Sequence, residues 1–280
     1  MTHTRKPGIN LKFVVKGLLI AVPAILILAV IGIDIMITQT PTGRPPAPTP
    51  PPPTILAPQG DLPAETVAFQ EWVQYRGNNP SLSGSSFFMR LADGTVVGVT
   101  TAHSVIIGNP NYPITRFFFS DANKPGFTVE FDTLHGKPGR MSLEILTNDY
   151  VLLRVDQPVA AKFVLLPDRR GGPQPGERVS LFSGLGDGHG RRRILEGTTH
   201  TVGESAVWIL MDEWTFDPSA MSGSPVLSQH TGRVVGMVIA VTPRNYRPFP
   251  KRYQWLVGIH PVGSLVRLAE SAETFSKFTQ

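Results

Sequence analysis

Residues 84–105 read GSSFFMRLADGTVVGVTTAHSV, and this stretch predicts a β-hairpin that ends at a histidine. The segments Gly84–Leu91 and Thr95–Thr101 are rich in β-branched and aromatic residues, and the residues ADG between them form a turn sequence. His103 follows the second segment and is flanked by small residues. The stretch therefore predicts antiparallel β structure with a titratable side chain just beyond the end of a strand.

The remainder of residues 64–280 continues this pattern of short strands. Further candidates, separated by turn residues at fairly regular intervals, are Phe117–Ser120, Thr128–Phe131, Leu143–Ile145, Tyr150–Val155, Glu177–Ser183, Ile194–Gly203, Ala206–Met211, Ser224–Ser228, Val234–Val241 and Gln254–Ile259. This spacing is typical of an all-β barrel or sandwich.

One helix is predicted, at the C-terminal end of the chain. It runs from about Pro261 to Phe278, because apolar residues fall on one helical face there. These residues are Leu265, Leu268, Ala272 and Phe275. We expect that face to dock on the β-sheet body, with a partner-binding helix as the alternative.

The N-terminal residues predict a membrane segment. Residues 17–37, GLLIAVPAILILAVIGIDIMI, are apolar except for Asp34. A helix of that length spans about 31 Å, which is enough for a bilayer core. Four Lys or Arg residues precede it, so the positive-inside rule predicts a cytoplasmic tail, residues 1–16, and a body outside the cytoplasm. A cleaved signal peptide is disfavoured, because the apolar run is longer than a signal h-region and no A-x-A site follows.

Residues 38–63 are predicted to form a linker. Ten positions in residues 41–63 are proline, and this density favours an extended polyproline-type chain or disorder over helix or sheet. We expect the linker to hold a folded domain, residues 64–280, away from a membrane surface. A ligand for proline-binding modules is the alternative interpretation.

Composition and charge exclude several classes of site. The chain has no cysteine, which excludes a disulfide framework, a thiol nucleophile and a cysteine-ligated metal. The formal charge is +5, but residues 1–40 carry four cations and one acid, which leaves +2 for the other 240 residues. We therefore expect no nucleic-acid partner. The histidines lack metal-type spacing such as H-E-x-x-H, so neither a metal nor a cofactor is expected.

Three short segments contain the residue types of acyl-transfer chemistry. They hold His103, Asp149 before an apolar strand, and Ser222 among small residues in PSAMSGSPV. A histidine can take the proton of a serine hydroxyl near neutral pH, a buried carboxylate fixes the histidine tautomer, and small residues let backbone N–H groups face an oxyanion. Each segment alone has a structural explanation, as a strand end, a cap or a turn. Together, at spacings of 46 and 73 residues, they favour a catalytic set.

With these motifs, residues 80–270 resemble the trypsin-like serine peptidases, particularly the cysteine-free bacterial branch that includes the HtrA/DegP-type proteases. The sequence TTAH ending at His103 resembles the family's T-A-A-H motif, and NDYVLL around Asp149 resembles D-I-A-L-L. The sequence AMSGSP around Ser222 resembles G-x-S-G-G-P. The segments GSSF from Gly84 and GRVVGM from Gly232 are similar to the family's entry strand and to its hairpin after the nucleophile.

The resemblance implies two six-stranded antiparallel β-barrels with the active site between them. It implies that His103 acts as general base and then acid, that Asp149 orients it, and that Ser222 attacks the scissile carbonyl of a protein or peptide substrate. The backbone N–H groups of Ala220 and Ser222 would form the oxyanion hole. An α/β-hydrolase is disfavoured, because that fold requires the order Ser, acid, His.

Several positions depart from the family pattern or bear on specificity. Ala220 replaces the usual glycine, so the backbone geometry there is open. Met221 replaces the Asp that pairs with a new N-terminus in digestive-type members, so we expect no activation of that type, and no PDZ domain is expected. By resemblance the substrate pocket comprises Phe216, Val238, Ile239 and Ala240, which favours a small or apolar P1 residue. A catalytically silent protease-like domain that binds protein partners at the cell surface is the alternative function.

Overall fold

The computed structural model describes residues 59–64, 66–124, 126–142, 145–185, 194–203, 206–212, 220–245, 253–273 and 276–278. All of them lie in the second of the chain's two units, Thr42–Gln280. The predicted tail 1–16, the membrane helix 17–37 and most of the linker 38–63 fall outside the described residues. Within the described residues, no helix is long and apolar enough to cross a membrane.

The described residues form thirteen β-strands, two 3-10 helices and an α-helix. The strands are β1 Phe69–Tyr75, β2 Ser81–Arg90, β3 Val96–Thr100, β4 Ile114–Ser120, β5 Thr128–Phe131, β6 Val151–Arg154, β7 Val164–Leu165, β8 Arg178–Phe182, β9 Ile194–Val202, β10 Val207–Met211, β11 Pro225–Ser228, β12 Val234–Asn245 and β13 Tyr253–Pro261. The 3-10 helices are Leu146–Asn148 and Ala161–Phe163, and the α-helix is α1, Val262–Glu270.

The first seven strands form an open sheet in the order β5-β4-β1-β2-β3-β6, with β7 paired to β2. The prediction of a closed six-stranded first barrel is therefore wrong, and this part of the protein is a half-barrel. The strands at its two edges, β5 and β6, are not joined by a ladder among the described residues. Leu134, which follows β5, forms one isolated antiparallel bridge with Leu153 on β6. Among the described residues, this bridge takes the place of the ladder that would close a barrel.

A cluster of phenylalanine side chains fills the half-barrel. Phe119 and Phe131 are the closest pair among the described rings, with ring centroids 4.5 Å apart and planes inclined at 60°. Gly98 lies beneath them, and a Cβ at Gly98 would lie 3.0 Å from Phe119 and 3.1 Å from Phe131. The rings therefore use the space that a side chain on β3 would occupy.

The second half of the protein is a closed barrel in the order β10-β13-β12-β11-β8-β9, and the ladder between β8 and β9 completes it. This confirms the predicted six-stranded antiparallel barrel. Aliphatic side chains from all six strands, among them Leu181, Leu195 and Ile209, meet in its core. The backbone N–H groups of Gln59 and Gly60, at the end of the predicted linker, both donate to the carbonyl of His230 between β11 and β12.

The C-terminal helix is present but shorter than predicted, because α1 ends at Glu270. Its buried face consists of Val262, Leu265 and Ala269. The chain then leaves helical geometry, and the N–H of Leu134 donates to the carbonyl of Ser276. Apolar residues at helical spacing continue beyond Glu270 in the sequence. In the structure, the chain after Glu270 instead forms hydrogen bonds with the first half of the protein.

Candidate active site

His103 and Asp149 come from the same end of the antiparallel β3–β6 ladder, where Thr100 pairs with Val151. β3 ends at Thr100, three residues before His103, and the 3-10 helix Leu146–Asn148 delivers Asp149 just before β6. One Asp149 oxygen accepts the backbone N–H groups of Ala102, at 2.8 Å, and His103, at 2.9 Å. The other lies 2.5 Å from His103 Nδ1. An ionised carboxylate only accepts, so Nδ1 carries the proton and Nε2 is left as an acceptor.

Ser222 lies on the turn before β11 and faces His103 across the boundary between the two sheets. Its Oγ is 2.8 Å from His103 Nε2. The turn is fixed from the first half of the protein, because the N–H of Ser85 on β2 donates to the Ser222 carbonyl at 2.8 Å. The structure therefore brings together all three residues of the predicted catalytic set. The Asp149 side chain is 3% exposed and that of His103 is 12% exposed, so Asp149 is shielded while His103 borders solvent.

Comparison with known families identifies the domain that carries this arrangement. The model of the trypsin-like peptidase domain matches residues 84–237, which include His103, Asp149 and Ser222. The chain belongs to this family. The protein is therefore a serine-type peptidase, as the sequence analysis predicted.

Several solved structures are similar to this trypsin-like peptidase in fold, among them two serine proteases. The serine endoprotease from Yersinia pestis is 13% identical with a TM-score of 0.45, covering 73% of this chain, which spans 63% of that one. A thermostable serine protease, AL20, from an extremophilic microorganism is 12% identical with a TM-score of 0.48, over 74% and 97% of the two chains. Deg5 is 15% identical with a TM-score of 0.47, over 73% and 88%. No curated protein sequence shows a significant match.

Ala220, the predicted oxyanion residue, adopts an unusual backbone conformation in this trypsin-like peptidase. Its φ is 56°, and among the described residues it is the one non-glycine residue with a positive φ. Ser85 Oγ donates to the Ala220 carbonyl at 3.1 Å and holds the turn in this conformation. Within the described residues, neither the Ala220 nor the Ser222 N–H donates to a backbone carbonyl. Alanine thus takes up the left-handed geometry that glycine adopts more readily.

The predicted pocket residues are placed unevenly. Phe216 lies outside the described residues. Val238 is fully buried in the barrel core, and its backbone bonds with Gly223 and Ser224 at 2.9 Å each support the Ser222 turn. Ile239 and Ala240 follow on β12 and are 3% and 7% exposed. The assignment of these residues to a substrate pocket stays a prediction.

The sequence analysis missed Glu71, a buried carboxylate behind the active site. Glu71 lies on β1, a strand that was not predicted, at an irregularity in the β1–β2 register. It is 0% exposed, and burial raises its pKa from 4.5 to about 7. Hydrogen bonds from Thr100, Ser83 and Ser104, together with the charge of His103, lower the pKa but do not offset burial. The available signal was an acid in phase with the inward-facing residues of an alternating strand.

His260 is a second buried titratable group near the site. It is the penultimate residue of β13, packs edge-on against Tyr150 at 5.8 Å between ring centroids, and is fully buried. Neither ring nitrogen has a hydrogen-bond partner among the described residues. Burial lowers the pKa of His260 from 6.5 to about 4, although the negative charge of Asp149 acts in the opposite direction. His260 is therefore neutral at ordinary pH.

Among the described residues, no group of three His, Cys, Asp or Glu residues is placed to hold a metal ion.

Proposed function

We propose that this protein is a membrane-anchored serine endopeptidase that cleaves protein substrates outside the cytoplasm through His103, Asp149 and Ser222. The observation that carries the catalytic part is the continuous hydrogen-bond chain from Asp149 through His103 to Ser222, with distances of 2.5 and 2.8 Å. The family supports the same reaction class.

The proposed reaction begins with proton transfer from Ser222 Oγ to His103 Nε2 as Oγ attacks the peptide carbonyl. Asp149 stabilises the imidazolium that forms, because its carboxylate is held by two backbone N–H groups and by His103 Nδ1. The N–H groups of Ala220 and Ser222 bind the oxyanion. His103 then protonates the leaving amine, and a water molecule activated by His103 hydrolyses the acyl-enzyme and restores Ser222.

Covalent labelling of the full-length protein with a fluorophosphonate, mapped by mass spectrometry, tests the nucleophile. We expect modification of Ser222 that is lost in Ser222→Ala and in His103→Ala. Ser224→Ala is the matched control, since it makes the same change two residues away. The Ser224 hydroxyl has no hydrogen-bond partner among the described residues.

Two outcomes would refute the catalytic proposal. One is labelling that persists unchanged in Ser222→Ala. The other is a folded wild-type protein that neither reacts with the probe nor hydrolyses peptides. The second outcome, together with partner binding that survives Ser222→Ala, would favour the catalytically silent domain.

The membrane part of the proposal is supported by the apolar residues 17–37 and the cations before them. We expect the protein to stay with membranes in alkaline carbonate. We also expect external protease to digest residues 64–280 in spheroplasts without permeabilisation. Release by carbonate would contradict anchoring, and protection of the domain until lysis would contradict its orientation.

A further inference from the structure

The Glu71 carboxylate is surrounded by hydroxyl groups from three different segments. Ser83 Oγ on β2 donates to Oε1 at 2.7 Å. Thr100 Oγ1 at the end of β3 makes a short contact with Oε2, and Ser104 Oγ lies 3.2 Å from the same oxygen. Glu71 therefore joins β1 to β2, to β3 and to the loop that carries His103.

Each of these hydroxyls also has a backbone carbonyl within reach. Ser83 Oγ is 3.3 Å from the Glu71 carbonyl, Thr100 Oγ1 is 3.0 Å from the Ser85 carbonyl, and Ser104 Oγ is 2.9 Å from the Thr101 carbonyl. A hydroxyl has one proton, so it serves one of its two acceptors at a time. When Glu71 is ionised, all three protons can turn to the carboxylate. When Glu71 is protonated, they can rotate to the carbonyls without movement of heavier atoms.

The same network reaches the nucleophile. Thr100 contacts the Ser85 carbonyl, and Ser85 in turn donates its N–H to the Ser222 carbonyl and its Oγ to the Ala220 carbonyl. Gly84 lies between the Glu71 carboxylate and the backbone of Ser222. A Cβ at Gly84 would lie 3.1 Å from the backbone carbonyl oxygen of Ser222 and 3.4 Å from Glu71 Oε2.

We propose that Glu71 is a positioning residue of this active site, and that its ionisation couples a second proton to turnover through the loops of His103 and Ser222. The inference rests on the proposed peptidase function. A negative charge at Glu71 favours the imidazolium that forms on His103 during acyl transfer. Burial keeps this carboxyl titrating near neutral pH, inside the working range of a histidine base.

The titratable groups that act on Glu71 among the described residues are His103 and Tyr75. Tyr75 lies four residues further along β1, and its hydroxyl accepts the N–H of Ile106 at 2.9 Å. β2 and β3 present hydroxyls to Glu71, and β4 pairs with it at Phe119. Of these groups, His103 is the one that contacts the nucleophile, with Nε2 2.8 Å from Ser222 Oγ.

The test is the pH dependence of kcat and KM for the full-length protein with a peptide substrate, in the wild type and in Glu71→Gln. Glutamine has the shape of glutamate and lacks the ionisation, so it mimics the protonated state. In the wild type, we expect kcat to fall at acidic pH more steeply than a single protonation would produce. In the variant, we expect the fall of kcat to fit a single protonation. The midpoint of this fall should lie about half a pH unit lower in the variant than in the wild type. The shift is smaller than for two charges in direct contact, and KM should be unchanged.

Two serine variants separate the charge from the loop contact. Ser83→Ala and Ser104→Ala each remove one hydroxyl from the carboxylate, so both should raise the pKa of Glu71 and move the acidic limb to higher pH. Ser104 also neighbours His103, so only Ser104→Ala should lower kcat on the alkaline plateau, by about threefold to tenfold.

Glu177→Gln is the matched control for loss of a buried carboxylate. Glu177 is 1% exposed, accepts the Ser228 hydroxyl and pairs with Arg170, without contact to the catalytic residues. We expect the steepness and midpoint of the acidic limb to be unchanged in this variant.

The outcomes distinguish this inference from the proposed function. An active wild type whose pH profile keeps its steepness and midpoint in Glu71→Gln would overturn the role of Glu71 alone. A loss of kcat that is as large at acidic pH, where wild-type Glu71 is itself protonated, as on the alkaline plateau would do the same, because it indicates a purely structural role. If Glu71→Gln does not fold, equal plateau kcat values in Ser83→Ala and Ser104→Ala would overturn it. A wild type without labelling or turnover would overturn the proposed function and this inference with it.

Discussion

Replacing Glu71 with glutamine should change how the stability of the protein depends on pH. The folded-state pKa of Glu71 is about 7, and its ordinary value is 4.5. Between these values the folded protein holds a proton that the unfolded chain has released. The contribution of Glu71 to stability is therefore fully present below about pH 4.5 and is lost as the pH rises through about 7. The difference of about 2.5 pH units corresponds to about 3 kcal/mol.

His260 acts in the opposite direction over almost the same range. Its folded-state pKa is about 4, and its ordinary value is 6.5. Between these values the unfolded chain binds a proton that the folded protein does not. The free energy of unfolding therefore falls by about 3 kcal/mol as the pH drops from about 6.5 to about 4. In the wild type, the contributions of Glu71 and His260 nearly cancel.

The assay is urea unfolding of the full-length protein in detergent micelles, followed by tryptophan fluorescence from about pH 4.5 to about pH 7. Glu71→Gln should unmask the His260 dependence, so that stability rises steeply with pH. His260→Phe should unmask the Glu71 dependence, so that stability falls with pH. Parallel curves for the wild type and both variants would contradict this prediction, because they would mean that neither group changes its proton binding on folding.

Three further variants test the geometry of the site. Asp149→Asn should lower kcat by about ten-thousandfold, because it favours the wrong tautomer of His103, whereas a loss below tenfold in peptide turnover would exclude an orienting role. Ala220→Gly should raise the free energy of unfolding by about 0.5 kcal/mol, since relief of the left-handed backbone exceeds the added chain entropy; a lower urea midpoint would contradict this. Gly223→Ala should abolish fluorophosphonate labelling, because its Cβ would lie 1.9 Å from the Ser85 carbonyl; wild-type labelling would show that the turn is placed differently.

The predicted strands that were found share one property, namely a local signal. The β-branched and aromatic residues of Gly84–Leu91 and Thr95–Thr101, on either side of a turn sequence, predict a hairpin. In the structure, β2 and β3 form that hairpin. The alternation in Ile194–Val202 likewise matches its buried and exposed positions. An alternation with a period of two residues extends over only a few neighbouring positions, so it can be recognised without knowing the rest of the chain.

The features that were missed depend on partners distant in sequence. The strand with Glu71 carries an acid at an inward position, which argues against burial until the hydroxyls of Ser83, Thr100 and Ser104 are brought around it. α1 ends at Glu270 although the apolar pattern continues, because the following residues pair with Leu134 in the first half of the protein. Whether the first sheet closes likewise depends on residues distant in sequence, because its edge strands β5 and β6 would have to pair.

The sequence alone predicts an all-β domain from its local periodicity, and a candidate membrane anchor from an apolar run. The peptidase class and the proposed His-Asp-Ser set come from the resemblance of short motifs to a known family. The folded structure adds that Ser222 lies 2.8 Å from His103, that Ala220 is left-handed, and that Glu71 is buried nearby. Distances between side chains 46 to 119 residues apart, and the pKa of a buried group, arise from packing and desolvation that no local stretch of chain contains.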